Sequence, residues 1–193
     1  MEVPAAMFKL AITALVVLGV NGLADPVADK DAIDTFSLES WANDIIANPE
    51  DTHLSPDAAS KAAINQTSIG ESDIPGLSLD EGALEKRELR CNTVAGTSAS
   101  VADAVWCIDF LARRPNQRCG VGAGGRSSFC RHGLATIQGV SGKPITQGGT
   151  SSPCGNVARA AGRIMDKCTR GGTVQGENTA YGNSYLHVHI RRS

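Results

Sequence analysis

The positions of the six cysteines constrain this chain more than any other sequence feature. Three residues separate the dibasic pair Lys86–Arg87 from the first of them, and all six follow that pair: Cys91, Cys107, Cys119, Cys130, Cys154 and Cys168. An even number of cysteines in a small domain is typical of disulfide-bonded proteins that mature in an oxidising compartment. We therefore expect all six to pair within a domain that begins after Arg87.

The net charge of the chain changes sign at the same place. Residues 25–87 contain 14 acidic and 4 basic side chains, a net of −10, whereas residues 88–193 contain 13 basic and 5 acidic side chains, a net of +8. This asymmetry predicts an acidic pro-segment over residues 25–87 and a basic mature domain over residues 88–193. We expect a kexin-type protease to separate them at Lys86 and Arg87; a chance Lys-Arg pair in a linker is the alternative.

The first 24 residues have the pattern of a secretory signal peptide. A short leader precedes the apolar run Leu10–Val20, and small residues follow at Gly22 and Ala24, so cleavage is expected after Ala24. The run of 11 residues is shorter than the roughly 20 that cross a membrane. No later segment approaches that length, so the sequence predicts a secreted, extracellular protein without a transmembrane span.

The pro-segment is rich in Asp, Glu, Ser, Ala and Pro, with one aromatic cluster at Phe36 and Trp41. Helical spacing of apolar residues predicts a short amphipathic helix over Ser37–Ala47. The composition as a whole buries too little apolar surface to offset ordering entropy, so we expect residues 25–87 to be mostly disordered. Their negative charge would shield the basic domain before export; a solubilising spacer is the alternative.

Hydrophobic periodicity divides the mature domain into strands and helices. The expected elements are a strand over Leu89–Thr93, a helix capped by Ser98 or Ser100 and closed by Arg113, a Gly- and Arg-rich loop over Asn116–Ser128, a strand over Leu134–Val140, a helix from Pro153 that ends before Gly171, a short strand over Thr173–Gly176 and a strand over Tyr185–Arg191. The last strand alternates strictly, so one of its faces is buried. This order predicts an α+β fold: a small disulfide-bonded sandwich of ferredoxin-like type, with two helices on one face of an antiparallel sheet.

Helix geometry limits the disulfide pairing. Cys154 and Cys168 lie 14 residues apart on one predicted helix, a distance of roughly 21 Å, which no disulfide can bridge. Each must therefore bond to another element and hold one end of the helix. A Cys119–Cys130 bond that closes the Gly-rich loop is the expected arrangement there, and the remaining connectivity is open.

Two histidines on the last strand are candidate metal ligands. His187 and His189 leave the same face, a spacing that can chelate a transition metal, with His132 as the obvious third ligand. The alternative is a pair of solvent-facing histidines opposite a buried Leu-Val-Ile stripe. No HExxH motif or closely spaced cysteine pair accompanies them, so neither a metal nor a cofactor is predicted.

A small secreted hydrolase is a second possible function to consider beside a metal site, because secreted ribonucleases combine His, Glu and Arg and a basic surface attracts phosphate. Glu88 and Glu177 are the only glutamates after Arg87, and Glu177 lies in a loop-like sequence. The mature region has five aromatic residues, which is few for base stacking, and no serine lies in a nucleophile elbow. We therefore predict no catalytic residue, no enzyme activity and no nucleic-acid partner.

Basic residues are the strongest surface signal. One row follows the outer side of the second predicted helix: Arg159, Arg163, Lys167 and Arg170. A second cluster surrounds the Gly-rich loop: Arg113, Arg114, Arg118, Arg126 and Arg131. A net charge of +8 exceeds what solubility requires, and it indicates an anionic partner at a cell surface, in a cell wall or on a receptor.

The signal peptide, the pro-segment ending in Leu84–Arg87 and the basic cysteine-rich domain are together similar to secreted fungal effectors. Phe129–Ile137, and Cys154–Cys168 followed by the closing strand Gly182–Ile190, resemble the small killer-toxin-like proteins. That resemblance implies a disulfide-bonded α/β sandwich and no shared catalytic residue. We therefore expect a secreted effector or killer-toxin-like virulence protein that acts by non-catalytic binding. A ribonuclease-like hydrolase and a cell-wall or defence-inhibitor binding protein are the alternatives.

Overall fold

The computed structural model describes residues 36–69 and 89–193. The cleavage sites expected at Ala24 and at Lys86–Arg87 lie outside these residues. In chain order the elements are α1 Leu38–Ala47, α2 Pro56–Ile69, β1 Arg90–Cys91, β2 Ala99–Ser100, α3 Val101–Ala112, β3 Arg118–Val121, β4 Arg126–His132, β5 Ala135–Ser141, β6 Thr150–Pro153, α4 Cys154–Cys168, β7 Thr169–Arg170, β8 Thr173–Val174, β9 Gly176–Ala180 and β10 Asn183–Arg191.

The main sheet is antiparallel and five-stranded, in the order β1-β9-β10-β5-β4. β10 pairs with β5 on one side and β9 on the other. Its alternating sequence places Leu186, Val188 and Ile190, all fully buried, on one face. α3 packs against β4 and β5 on that face, and α4 packs against β9 and β10. The predicted α+β class and the single covered face of the last strand are confirmed.

The chain closes with the antiparallel hairpin β9–β10, in the region where the sequence predicts two strands. α3 forms as predicted: Ser100 is its cap, accepting a hydrogen bond from the Asp103 backbone N at 3.4 Å. α4 begins one residue later than expected, at Cys154. The Cys154 backbone N donates to the Gln117 carbonyl at 2.7 Å, so a distant residue supplies part of its N-terminal capping.

All six cysteines are paired, as the sequence predicts. The bonds are Cys91–Cys168, Cys107–Cys130 and Cys119–Cys154, so both ends of α4 are fixed to other elements. The expected Cys119–Cys130 bond is wrong. β3 pairs with β6 immediately before α4, which brings Cys119 to the start of that helix, while Cys130 faces α3.

The segment Asn116–Ser128, expected to be a loop, contains β3 and the start of β4. β3 pairs antiparallel with β6, with Cys119 opposite Ser152 and Val121 opposite Thr150. Such short polar and glycine-rich strands carry no clear period. β3 forms because β6, whose paired residues lie 29 to 35 positions further along the chain, exchanges backbone hydrogen bonds with it.

Residues 36–69 form two helices, which corrects the expectation of disorder for this part of the predicted pro-segment. α1 matches the predicted Ser37–Ala47 helix, with Ser37 as its cap. α1 packs on α4 and α3, and α2 packs on α3, so the described residues form three layers: sheet, α3 with α4, and α1 with α2. Composition indicated disorder because the segment has no core of its own; α3 and α4 supply the apolar surface it lacks.

No helix in the described ranges has both the length and the apolar character that a membrane span requires.

Candidate functional site: an arginine-lined cleft on the open face of the sheet

The face of the main sheet that points away from α3 and α4 carries a cleft of about 380 Å³. We call it the arginine cleft, and its polar lining consists of Arg90, Thr93, Arg126, Gln138, Glu177, His189 and Arg191. Strand register brings these side chains together. His189 on β10 lies opposite Glu177 on β9 and Gln138 on β5, and Arg90 on β1 lies opposite Glu177.

His189 and Glu177 form the centre of the cleft. The His189 Nδ1 atom lies 3.4 Å from Glu177 Oε2, and each side chain is only 19% exposed. Glu177 also faces Arg90, whose Nη1 atom lies 3.8 Å from Oε1. Glu177 lies on the strand β9, which corrects the sequence-based expectation of a loop.

Burial lowers the pKa of His189 from its ordinary value. Glu177 acts in the opposite direction and raises this pKa, whereas the electrostatic influence of His187, Arg191 and Arg126 lowers it. His189 is therefore mainly neutral near pH 7. With Nδ1 facing Glu177, Nε2 is the ring nitrogen that could accept a proton or a hydrogen bond from a ligand.

Arginine side chains are the main polar groups of the cleft and suit an anionic ligand. Arg90, Arg126 and Arg191 line it, and Glu177 is the one carboxylate among the described residues of its lining. Arg191 is held by a hydrogen bond from Nη2 to Gln138 Oε1 at 3.2 Å. Guanidinium groups bind phosphate and carboxylate with two parallel hydrogen bonds, so this arrangement suits a ligand that carries such a group.

The three candidate metal-binding histidines do not come together. His132 contacts α3, which covers the buried face of the sheet: Nδ1 lies 3.2 Å from Asp103 Oδ1. His187 and His189 lie on the open face. Across residues 36–69 and 89–193, no group of three or more His, Cys, Asp or Glu residues could hold a metal ion.

A second surface consists of rings stacked on Trp106 of α3, one from the same helix and one from β4, which sequence reasoning missed. Trp106 stacks on His132 with ring centroids 4.3 Å apart and on Phe110 with centroids 5.7 Å apart. The Arg114 guanidinium lies 3.9 Å from the Phe110 centroid. The four-residue spacing of Trp106, Phe110 and Arg114 on one helix was the available signal. Trp106 is 39% exposed, so this stack is open to a ligand.

The row of basic residues predicted along α4 is shared with the N-terminal helices. Arg159 Nε donates to Asn43 Oδ1 at 2.6 Å. Arg163 and Lys167 line a pocket of about 540 Å³ together with residues of α1. Arg170 lies beyond α4, on β7, and donates from Nη1 to the Thr169 carbonyl at 2.6 Å. The four side chains therefore do not form one open row, and their role as a binding surface stays a prediction.

The second predicted basic cluster is dispersed over the domain. Arg113 donates from Nη1 to the Pro49 carbonyl at 2.9 Å, and Arg118 donates from Nε to Ser151 Oγ at 2.8 Å. Arg114 lies on the Phe110 ring, and Arg126 lines the arginine cleft. Arg126 is thus the member of the cluster that lines the arginine cleft together with Arg90 and Arg191.

Residues 86–192 match the model of a family described as a domain of unknown function, DUF8794. The match begins at the predicted processing site and extends through β10. Neither the search of curated proteins nor that of solved structures found a match.

Proposed function

This chain belongs to the DUF8794 family, a domain of unknown function, and we propose that it is a secreted, non-catalytic binding protein of killer-toxin or effector type. Its target is an anionic group of a cell surface, cell wall or receptor, which the arginine cleft binds. The convergence of Arg126 and Arg191 beside Arg90 on one cleft carries this proposal, because guanidinium groups bind phosphate, sulfate and carboxylate through parallel hydrogen bonds.

The contact between His189 and Glu177 favours binding over catalysis. Hydrolysis with His189 and Glu177 as a paired acid and base would need both groups to reach the substrate. Here Glu177 lies directly against His189 and faces Arg90 on its other side, so its charge is directed toward protein partners. Glu177 thus orients His189 and Arg90 around the ligand.

Three features support secretion and processing. The three disulfides need an oxidising compartment, the leader has the pattern of a signal peptide, and the family match begins at Lys86, where a kexin-type protease is expected to cut. We include in the proposal a relationship to ferredoxin-like killer-toxin sandwiches.

Binding to heparin, a sulfated polysaccharide, tests the cleft. The affinity of the double variant Arg126→Ser/Arg191→Ser for heparin should be at least about tenfold lower, since hydrogen bonds to charged groups are each worth roughly 1.5–3 kcal/mol. Arg163→Ser/Arg170→Ser removes the same charge elsewhere and is the matched control. Equal losses in both variants would indicate general charge attraction and would reject the cleft as the binding site.

Ribonuclease-like hydrolysis is the second candidate, favoured by the neutral His189 between a carboxylate and arginines suited to phosphate. In this case His189 would accept a proton through Nε2, and Glu177 would hold the ring. Wild-type protein incubated with single-stranded RNA should then release fragments, and His189→Ala should abolish the release while Arg163→Ser retains it. Intact RNA after prolonged incubation with wild-type protein eliminates this candidate.

A further inference from the structure

The inner side of α1 completes the core that α3 and α4 begin. Leu38, Ala42 and Ile45 have no exposed surface, Trp41 is 6% exposed, and Ala59 of α2 is fully buried. These residues belong to the same contiguous cluster of buried residues as α3, α4 and the sheet. The core of the described protein therefore includes side chains from both sides of the predicted processing site.

α1 approaches α4 so closely that only glycine fits at the crossing. A Cβ atom added at Gly162 would lie 2.7 Å from the Glu39 Cα atom and 2.8 Å from the Leu38 carbonyl oxygen. These are backbone atoms, which cannot move aside as the end of a flexible side chain can. Glycine inside a helix is unfavourable relative to alanine, so its presence in α4 is explained by the docked segment and not by α4 itself.

Asp166, one turn after Gly162, accepts hydrogen bonds from groups at the N-terminus of α1. Its Oδ1 accepts a hydrogen bond from the Leu38 backbone N at 2.7 Å, and its Oδ2 accepts from the Glu39 backbone N at 3.0 Å and from Ser37 Oγ at 2.8 Å. The first N–H groups of a helix have no partner within it, and a carboxylate there also complements the helix dipole. A residue of the mature domain thus caps a helix of the pro-segment.

Further polar contacts join the two parts at separate places. Arg159 on α4 donates to Asn43, the Tyr181 hydroxyl in the β9–β10 turn donates to Glu39, and Arg113 at the end of α3 donates to the Pro49 carbonyl. The segment is therefore held along its length by an apolar interface and directed hydrogen bonds. None of these contacts depends on the peptide chain between residues 69 and 89.

We infer that residues 36–69 remain bound to residues 89–193 after the chain is cut between them, so that the processed protein is a non-covalent complex of two chains. The groove on α3 and α4 is then the binding site for this amphipathic segment. The segment covers the helical layer, whereas the arginine cleft lies on the opposite face of the sheet. Retention of the segment therefore leaves the cleft open and does not depend on the function proposed for it.

Cleavage of the secreted chain tests retention directly. The protein is cut with a kexin-type protease, or at an engineered protease site between residues 70 and 88 if Lys86–Arg87 resists, and passed through a native size-exclusion column. Because all cysteines follow Arg87, no disulfide joins the two products. We expect both to elute together and to separate only in denaturant. Separate elution in native buffer at micromolar concentration would overturn the inference.

Two variants probe the contacts. In the cleaved Gly162→Ala protein, the affinity for the segment should fall at least about tenfold, because the added methyl group meets the α1 backbone. Gly122→Ala, where a Cβ meets nothing within 4 Å, is the control and should retain the segment. Retention of the segment by Gly162→Ala as firmly as by wild type would contradict the inference.

Asp166→Asn removes the capping charge without adding volume. It is the test variant if the uncut Gly162→Ala chain loses its near-ultraviolet circular dichroism and so fails to fold. Asp166→Asn should also weaken retention of the segment, and unchanged retention would count against the docked geometry. Release can be followed by fluorescence in a Trp106→Phe background, where Trp41 is the only tryptophan left. Its emission should shift to the red when the segment dissociates.

Discussion

The carboxylate of Asp166 accepts a hydrogen bond from the backbone N–H of Leu38 at a distance of 2.7 Å, across 128 positions of sequence. Asp166 belongs to the region matched by the family model, whereas Leu38 precedes that region. The N-terminal helices and the family domain are therefore joined by a contact that neither could form alone.

We predict that Asp166→Ala destabilises the intact chain. Loss of a helix cap costs roughly 0.5–2 kcal/mol, and this carboxylate accepts three hydrogen bonds at the N-terminus of α1. Urea unfolding measures the change in the free energy of unfolding. Glu50→Ala, which removes an exposed carboxylate near the end of α1, should leave it almost unchanged. A smaller effect of Asp166→Ala than of the control would refute the capping role.

The three disulfides should differ in their contributions to stability. Cys91–Cys168 spans 77 residues and Cys107–Cys130 spans 23, so the chain-entropy model expects replacement of the first pair by serine to cost about 1 kcal/mol more than replacement of the second. Thermal unfolding of the two double variants under non-reducing conditions compares them. Greater destabilisation by loss of Cys107–Cys130 would show that local packing outweighs loop closure.

The pKa of His189 should respond in opposite directions to two substitutions. Burial lowers it and Glu177 raises it, so Glu177→Gln should lower the pKa further. Arg126→Ser removes a positive charge and should raise it. Ring-proton chemical shifts followed by NMR during a pH titration measure both values. A rise in Glu177→Gln would show that the contact between His189 and Glu177 does not govern this group.

The same lowered pKa determines how His189 affects stability. A group whose pKa is lower in the folded protein than in the unfolded chain contributes stability above the unfolded value, about 6.5 for histidine, and loses it as the pH falls. Replacement by glutamine should therefore reduce the loss of stability below about pH 6.5. Unfolding midpoints measured on both sides of that pH provide the comparison.

His53 should show the reverse dependence. Its Nε2 lies 2.7 Å from the Asn48 carbonyl and its Nδ1 lies 2.9 Å from Asp44 Oδ2. The carbonyl and Asp44 raise the pKa of His53, while burial and Arg113 oppose them. The stability that His53 confers is complete below about pH 6.5 and is lost as the pH rises through the raised pKa. His53→Gln should flatten stability in that range, and an unchanged profile would contradict this.

Sequence reasoning located part of the candidate site. The alternation of β10 correctly placed His187 and His189 on one face, because side-chain direction in a strand follows from period alone. It could not place Glu177, Arg90 or Arg126 beside them. These residues come from β9, β1 and β4, and the register of those strands is determined by hydrogen bonds between residues far apart in sequence.

The sequence by itself determined α3, α4, β10 and the paired state of all six cysteines, because helical and strand periods and the impossibility of a Cys154–Cys168 bond are local properties of the chain. Only the tertiary structure decided which cysteines pair, which side chains line the arginine cleft, and that residues 36–69 are ordered. Composition reports only the apolar surface that belongs to a segment itself. α1 is stabilised by apolar surface that belongs to α4, and the fit at Gly162 and the cap from Asp166 exist only once the two helices are in contact.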